Sequence, residues 1–431
     1  MLEKLRDRLR DFSLYIREVF QAVKKTEVAA LATPFLVVAI FAFGSSILQL
    51  PEELRKSAFF NDLIRLIRKI PNAGPNIIAA PPPPPPAAQT PVEIAPCQLA
   101  PGHNCLVKVF FGTDRKPNSS PVIANYFGGE RNDTEDPLTF GTVLVSIPAE
   151  HKVGHLEKPL PFFSADPRND LVVLDLKVSS EAGFVSSLSD AVRESRDKEA
   201  LIFIHGYFTK FDEAARRTAQ LAWDLQFQGV PILYSWPSRG DPLYTADEAS
   251  ALWAVPHLKR FLQFVVQRSG AKTIHVVAHS LGNRSLMYAL QQISQDHSST
   301  VKFKQIVLAA PDIDAGIFRQ LASAFPSTAE RVTIYASSHD RALALSKLLH
   351  QSPSMGRQPQ STHALGTGVD LIDASVMSDD LFSFDHSYYA GNVEVLEDMS
   401  YVIRAGLPPE KRLLLDPHPS SGMPLYWTFR P

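Results

Sequence analysis

The stretch TIHVVAHSLGNRSLMYAL, residues 273–290, narrows the possible folds more than any other part of the chain. It opens with Ile274, Val276 and Val277, a β-branched run suited to a strand buried on both faces of a parallel sheet. After Gly282 the pattern turns helical, with Leu286, Tyr288 and Leu290 among polar residues. Between the two lies Ala278-His279-Ser280-Leu281-Gly282. A strand that turns this sharply into a helix displays the serine at its apex and needs small residues two before and two after it. Gly282 meets that demand, and Ala278 departs from the ideal by one methyl. A capped helix start is the competing account of the same residues.

A serine hydroxyl is a poor nucleophile without a base, and the base needs an orienting acid, so partners must follow in workable order. KQIVLAAPDID (304–314) reads as the next strand, and RVTIYASSHDRALALSKLL (331–349) as a strand, a turn carrying Asp340 and a helix. GVDLIDASVM (368–377) is a candidate last strand, followed by SFDHSYYAGN with His386. Asp312 and Asp314 compete with Asp340 as the acid, and His363 competes with His386 as the base. His279 and His205 are expected to be packed residues that brace their loops, and His339 to point elsewhere than its neighbour Asp340. Upstream, EALIFIHGYFTKFDEAARRTAQLAWDL (199–225) gives a buried strand, a His-Gly turn and an amphipathic helix. Gly206 lets the backbone bend so that the Tyr207 N–H, with that of Leu281, forms an oxyanion hole.

The segments FIHGYFTKFDEAARR, YSWPSRG, VVAHSLGNRSLMYAL, LAAPDID, ASSHDRAL and DHSYYAGN together resemble a bacterial α/β-hydrolase family of largely unknown function, described as esterase/lipase-superfamily enzymes. VKVFFGTDRKP and GTVLVSIPAEHKVGHLEKP resemble that family's beginning, so the similarity spans roughly 106–407. It implies an α/β-hydrolase fold, a mostly parallel sheet with helices on both faces, and a Ser280-Asp340-His386 triad. It does not name the substrate. The expected reaction is cleavage of a carboxylic ester or thioester, in a small molecule or a lipid, through an acyl-enzyme at Ser280. An acyltransferase on the same fold and a catalytically silent tethered scaffold are the alternatives.

Other chemistries leave no trace. The formal charge of −2 gives no general attraction to nucleic acid. No phosphate loop, Gly-x-Gly-x-x-Gly or His-Glu-x-x-His occurs, and two cysteines cannot make a structural zinc site by themselves, so no cofactor and no metal are expected.

The front of the chain differs in kind. Residues 28–50, VAALATPFLVVAIFAFGSSILQL, lie in a run without charge between Glu27 and Glu52, long enough to cross a bilayer as a helix. The long mixed-charge leader argues for an uncleaved anchor over a signal peptide. Residues 1–27 and 51–70 are amphipathic segments that suit a membrane surface or self-association. Seven basic residues precede the span (Lys4, Arg6, Arg8, Arg10, Arg17, Lys24, Lys25) and five follow it (Arg55, Lys56, Arg65, Arg68, Lys69), which places the N-terminus in the cytoplasm. Residues 71–105 form a linker whose prolines 81–86 favour a stiff polyproline II spacer. It ends in CQLAPGHNC, where Cys97 and Cys105 could close a disulfide in an oxidising compartment. The expectation is a single-pass protein of a bacterial inner membrane, its catalytic domain (106–412) in the periplasm and a tail (413–431) without assigned structure.

Overall fold

In the computed structural model, the described residues are 97–99 and 104–430, apart from 119, 121, 160–164, 242, 297, 339–353, 358–367, 376–388 and 419–425; side chains are described from 104 onward, except in 389–392. The chain divides into two units, Met1–Gln89 and Thr90–Pro431. The first, with the apolar run 28–50, falls outside the described residues. Among the described residues no helix is long and apolar enough to cross a membrane.

The second unit is built on a large sheet. Its strands are β1 (Cys97–Leu99), β2 (Cys105–Thr113), β5 (Thr139–Ile147), β6 (Val172–Ser179), β7 (Glu199–Ile204), β8 (Val230–Ser235), β9 (Thr273–His279), β10 (Phe303–Ala309), β11 (Ala329–Ala336), β12 (Val369–Asp373), β13 (Leu415–His418) and β14 (Tyr426–Phe429). Their order is β13-β14-β12-β11-β10-β9-β7-β8-β2-β5-β6, with β1 beside the first residues of β2. From β2 through β8, β7, β9, β10, β11 and β12 every pairing is parallel; β5 and β6 add antiparallel strands at one edge. A small ribbon, β3 (Arg115–Pro117) with β4 (Phe127–Arg131), stands apart.

Central strands are buried on both faces, so they read as unbroken apolar runs. β8 is buried at every residue and β9 at all but its first. Neighbouring side chains in β9 alternate between two cores, Val276 in one and Val277 in the other. On the first face pack α1 (Glu181–Glu194), α3 (Tyr244–Trp253), α4 (Val255–Arg268), α5 (Gly282–Ser294) and α6 (Ala315–Leu321). On the second pack α2 (Phe211–Asp224) and α8 (Tyr389–Ala405), while α7 (Phe325–Thr328) is a single turn. α1 shows how the sequence does this: Ser180 caps it by accepting from the Gly183 N–H, and Phe184, Leu188 and Val192 present one buried stripe at four-residue steps.

Two details differ from the sequence reading. The strand at 369–373 is not the last. Residues beyond 412 add β13 and β14, and β14 pairs in parallel with β12.

Candidate active site

Ser280 follows the last residue of β9 and adopts φ 49°, the left-handed region that a residue with a side chain occupies only when its surroundings enforce it. The enforcement is visible. The Ser280 N–H donates to Ala309 O (2.9 Å), and Ser280 O accepts from the backbone N–H groups of Asn283 (3.1 Å) and Asp312 (3.2 Å). The Asn283 side chain donates to both Ser280 O and Ala309 O at 3.0 Å, tying the turn to the end of β10. Two glycines allow the approach. A Cβ on Gly282 would meet His205 O at 2.3 Å, and one on Gly206 would meet Ser280 Cβ at 2.9 Å. The loop after β7 therefore lies directly against the serine.

That loop, His205 to Lys210, carries the Tyr207 N–H. Neither it nor the Leu281 N–H has an acceptor among the described residues. Phe208 also takes a left-handed conformation, φ 58°. His205 stacks on Trp236 with ring centroids 4.9 Å apart, and Trp236 Nε1 donates to His205 O at 2.8 Å. Burial, then the nearby Arg115 charge, pushes the His205 pKa well below its ordinary value, so the ring is neutral. His279 is likewise neutral, lowered to about 3 by burial and by Arg217. Both histidines sit as packed rings, as the sequence suggested. Burial, reinforced by Asp247 and Asp241, raises the Tyr207 phenol to about 12, so it stays protonated.

The alternative acids are otherwise engaged. Asp312 Oδ2 accepts from the Tyr244 hydroxyl at 2.7 Å, and Arg284 Nε donates to Asp312 O at 3.1 Å. Arg284 also pairs with Glu248. Asp314 caps α6, accepting from the Ile317 N–H at 2.9 Å. Asp340 and His386, with His339 and His363, lie outside the described residues. The strands that precede them, β11 and β12, run parallel to β9 and end on the same edge of the sheet. Trp236 is fully buried bracing His205. Tyr244 is tied to Asp312 with its ring tilted against Tyr207 (5.3 Å between centroids), and Trp253 packs against His257. Among the described residues no cluster of three or more metal-ligating side chains occurs. Cys105 at the start of β2 is disulfide-bonded, and β1 places the backbone of Cys97 on the adjacent strand.

Sequence reasoning did not find Arg115, Ser238, Asp247 or Asn283, all buried around Ser280 or its neighbouring loop. Only Asn283 lay within a motif read for chemistry. The other three come from segments remote in sequence.

Residues 180–405 match the family described as "Alpha/beta hydrolase of unknown function (DUF900)". No curated protein matches the chain. Among solved structures, esterase 2 of Thermogutta terrifontis phosphoramylated by tabun aligns at 11% identity, covering 62% of this chain and 90% of that one, with a TM-score of 0.31. The same esterase phosphorylated by paraoxon aligns at 12% identity over 62% and 91%, also with a TM-score of 0.31. With the match spanning more than half of its length, and with a sheet of this order and a serine on a left-handed turn after β9, the chain belongs to the family of alpha/beta hydrolases of unknown function.

Proposed function

We propose that this alpha/beta hydrolase is a membrane-anchored serine hydrolase that cleaves a carboxylic ester or thioester, in a small molecule or a lipid, through an acyl-enzyme. The observation that carries the reading is Ser280 held at φ 49° against the Gly206 loop, beside two backbone N–H groups without acceptors among the described residues. In the first half-reaction Ser280 Oγ attacks the acyl carbon and His386 takes its proton. The tetrahedral oxyanion accepts hydrogen bonds from the Tyr207 and Leu281 N–H groups, and Asp340 holds the imidazolium. Collapse expels the alcohol or thiol, protonated by His386. Water, activated by the same histidine, then releases the acid. Chain topology supports these roles for Asp340 and His386, which follow β11 and β12 in the order nucleophile, acid, base.

Residues 28–50 anchor the chain, the proline run spaces the domain from the bilayer, and Cys105 is bonded to Cys97, the only other cysteine. An oxidised cysteine pair suits a periplasmic domain.

The test is labelling of the full chain with a fluorescent fluorophosphonate, comparing wild type with Ser280→Ala and His386→Ala. Labelling of wild type that is abolished in the first variant and reduced at least about 100-fold in the second is expected. Folded wild type that takes no label would instead favour a scaffold. Labelling that persists in Ser280→Ala would assign the nucleophile elsewhere.

A further inference from the structure

Beside the loop that carries Tyr207 lie two buried charges that no triad role requires. Arg115, the first residue of β3, is almost fully buried, and its five N–H donors each have a partner. Nε donates to Ser235 Oγ (2.9 Å), and Nη1 to Gly128 O (2.9 Å) and Ser238 O (2.7 Å). Nη2 donates to Thr209 O (2.8 Å) and reaches His205 Nε2 at 3.3 Å. No carboxylate forms an ion pair with it among the described residues. The opposite charge is Asp247 in α3, also wholly buried. Its Oδ2 accepts from the Phe208 N–H (3.0 Å) and the Ser238 hydroxyl (2.5 Å), and its Oδ1 accepts from the Arg239 N–H (2.8 Å). Ser238 Oγ in turn accepts from the Thr209 N–H at 3.0 Å.

These contacts set the direction of one N–H. Arg115 can only donate, and the Ser235 hydroxyl, which accepts from Arg115 Nε, has its own proton for His205 Nε2 at 3.1 Å, so Nε2 is the lone-pair nitrogen and Nδ1 carries the proton. Nδ1 then donates to Gly206 O at 2.9 Å. A trans peptide is planar with its C=O and N–H on opposite sides, so fixing the Gly206 carbonyl turns the Tyr207 N–H the other way. The following peptide is fixed too: Tyr207 O accepts from Thr209 Oγ1 (3.0 Å), while its Phe208 N–H is taken by Asp247. With these two peptides held, and the next held by the Thr209 N–H on Ser238 Oγ, Phe208 keeps its left-handed φ, and the Tyr207 N–H is left without an acceptor among the described residues.

We propose that Asp247 and Arg115 are positioning residues that aim the Tyr207 N–H at the oxyanion, Asp247 through the Phe208 peptide and Arg115 through the His205 tautomer; this rests on the ester-hydrolase reading above. Neither touches the substrate. Their effect is on the transition state, where a preorganised donor matters most.

The experiment uses the full chain with p-nitrophenyl butyrate, active sites counted by the nitrophenolate burst, and Asp247→Asn and Arg115→Lys as variants. Asparagine keeps the shape of Asp247 but turns an NH₂ toward one of its three donors; lysine keeps the charge of Arg115 but not its fork. We expect kcat per counted site to fall about 10- to 100-fold with KM within about twofold. An alkyl trifluoromethyl ketone, to which Ser280 Oγ adds while its proton passes to His386 and the ketone oxygen becomes an alkoxide, should lose affinity in parallel. Amide exchange of the 205–210 segment should quicken about tenfold in Asp247→Asn with the rest of the domain unchanged. Equal kcat per site, with only the count of active sites reduced, would overturn the proposal, as would unchanged exchange in the loop. A wild type inert toward esters would sink the hydrolase reading instead, and the exchange measurement would still decide whether Asp247 holds the loop.

Discussion

Gly282 and Ala278 flank Ser280 symmetrically in sequence, yet the two positions are under different constraints. A methyl on Gly282 would press on His205 O at 2.3 Å and Ile204 O at 3.0 Å, both backbone atoms that cannot swing aside. Gly282→Ala must therefore push α5 from the β7 loop. The expected outcome is a loss of about 1–3 kcal/mol, read by thermal melting. Fluorophosphonate labelling should fall at least about 100-fold, because displacing the reacting group by an ångström costs that much. Ala278 already carries its methyl inside the core, wholly buried. Ala278→Gly restores the more familiar small residue but removes buried contact and adds backbone freedom in a strand. It should cost about 0.5–1 kcal/mol and leave labelling unchanged. If Gly282→Ala labelled as well as wild type, the close approach of the elbow to the oxyanion loop would not govern reactivity. The same contrast shows what was legible at this scale. The serine turn could be read because strand, turn and helix are contiguous. Arg115 and Asp247 could not, since each reaches the Tyr207 loop from a distant segment, 94 residues away for Arg115 to Thr209 and 39 for Asp247 to Phe208.

Elements are joined here by buried charge as well as by apolar area, and the loop after β5 gives the clearest case. His151 Nδ1 lies 2.8 Å from Glu157 Oε2 and its Nε2 2.8 Å from Asp224 Oδ1 at the end of α2, with the ring almost completely enclosed. The second oxygen of Asp224 accepts from the Gly154 N–H and from Gln220, so the whole turn hangs on α2. Burial opposes the imidazolium, but the hydrogen bonds and charges of Asp224 and Glu157 outweigh it and raise the pKa to about 9. A raised folded pKa stabilises fully below the unfolded value near 6.5 and is lost as the pH climbs through about 9. The shift corresponds to roughly 3 kcal/mol. Melting curves between pH 6 and 10 should show wild type losing about that much more stability than His151→Gln, with the difference concentrated above pH 7. Parallel curves for the two proteins would mean that the imidazole is neutral throughout. The alternating carboxylates around His151 are scattered over segments that read only as loop and helix, so sequence patterning carried no sign of this contact. By contrast β7 to β10 were readable, because strands enclosed on both faces must be largely apolar. β13 and β14 were not: LDPH contains a proline and two polar side chains, and it becomes a strand only by pairing with Tyr426–Phe429 beside β12.

At the scale of the whole chain, the family match covers residues 180–405, while the sheet extends further in both directions, to β1 and β14. The part beyond the sheet, with its uncharged run and proline spacer, has composition as its only guide, and composition says anchor and export. The two cysteines make that proposal testable without disturbing the active site. Cys105 is bonded, its backbone lies opposite Leu99 of β1, and Cys97 is the only other cysteine in the chain. A pair so placed stays oxidised in the periplasm, whereas the glutathione poise of the cytoplasm would reduce any but the most stable such bond. The full chain should resist extraction from membranes by alkaline carbonate. In intact cells quenched in acid, a maleimide carrying a polyethylene glycol tag should then add to neither cysteine before reduction and to both after it. Cys97→Ser supplies the control, because Cys105 becomes a single thiol that takes one tag without reductant. Removing residues 28–50 should release the chain from the membrane and, with export lost, return both thiols to the reactive state. Two tags added to the wild type without reductant would put the domain on the cytoplasmic side and overturn the topology. Carbonate extraction of an otherwise oxidised protein would instead keep export and remove the anchor.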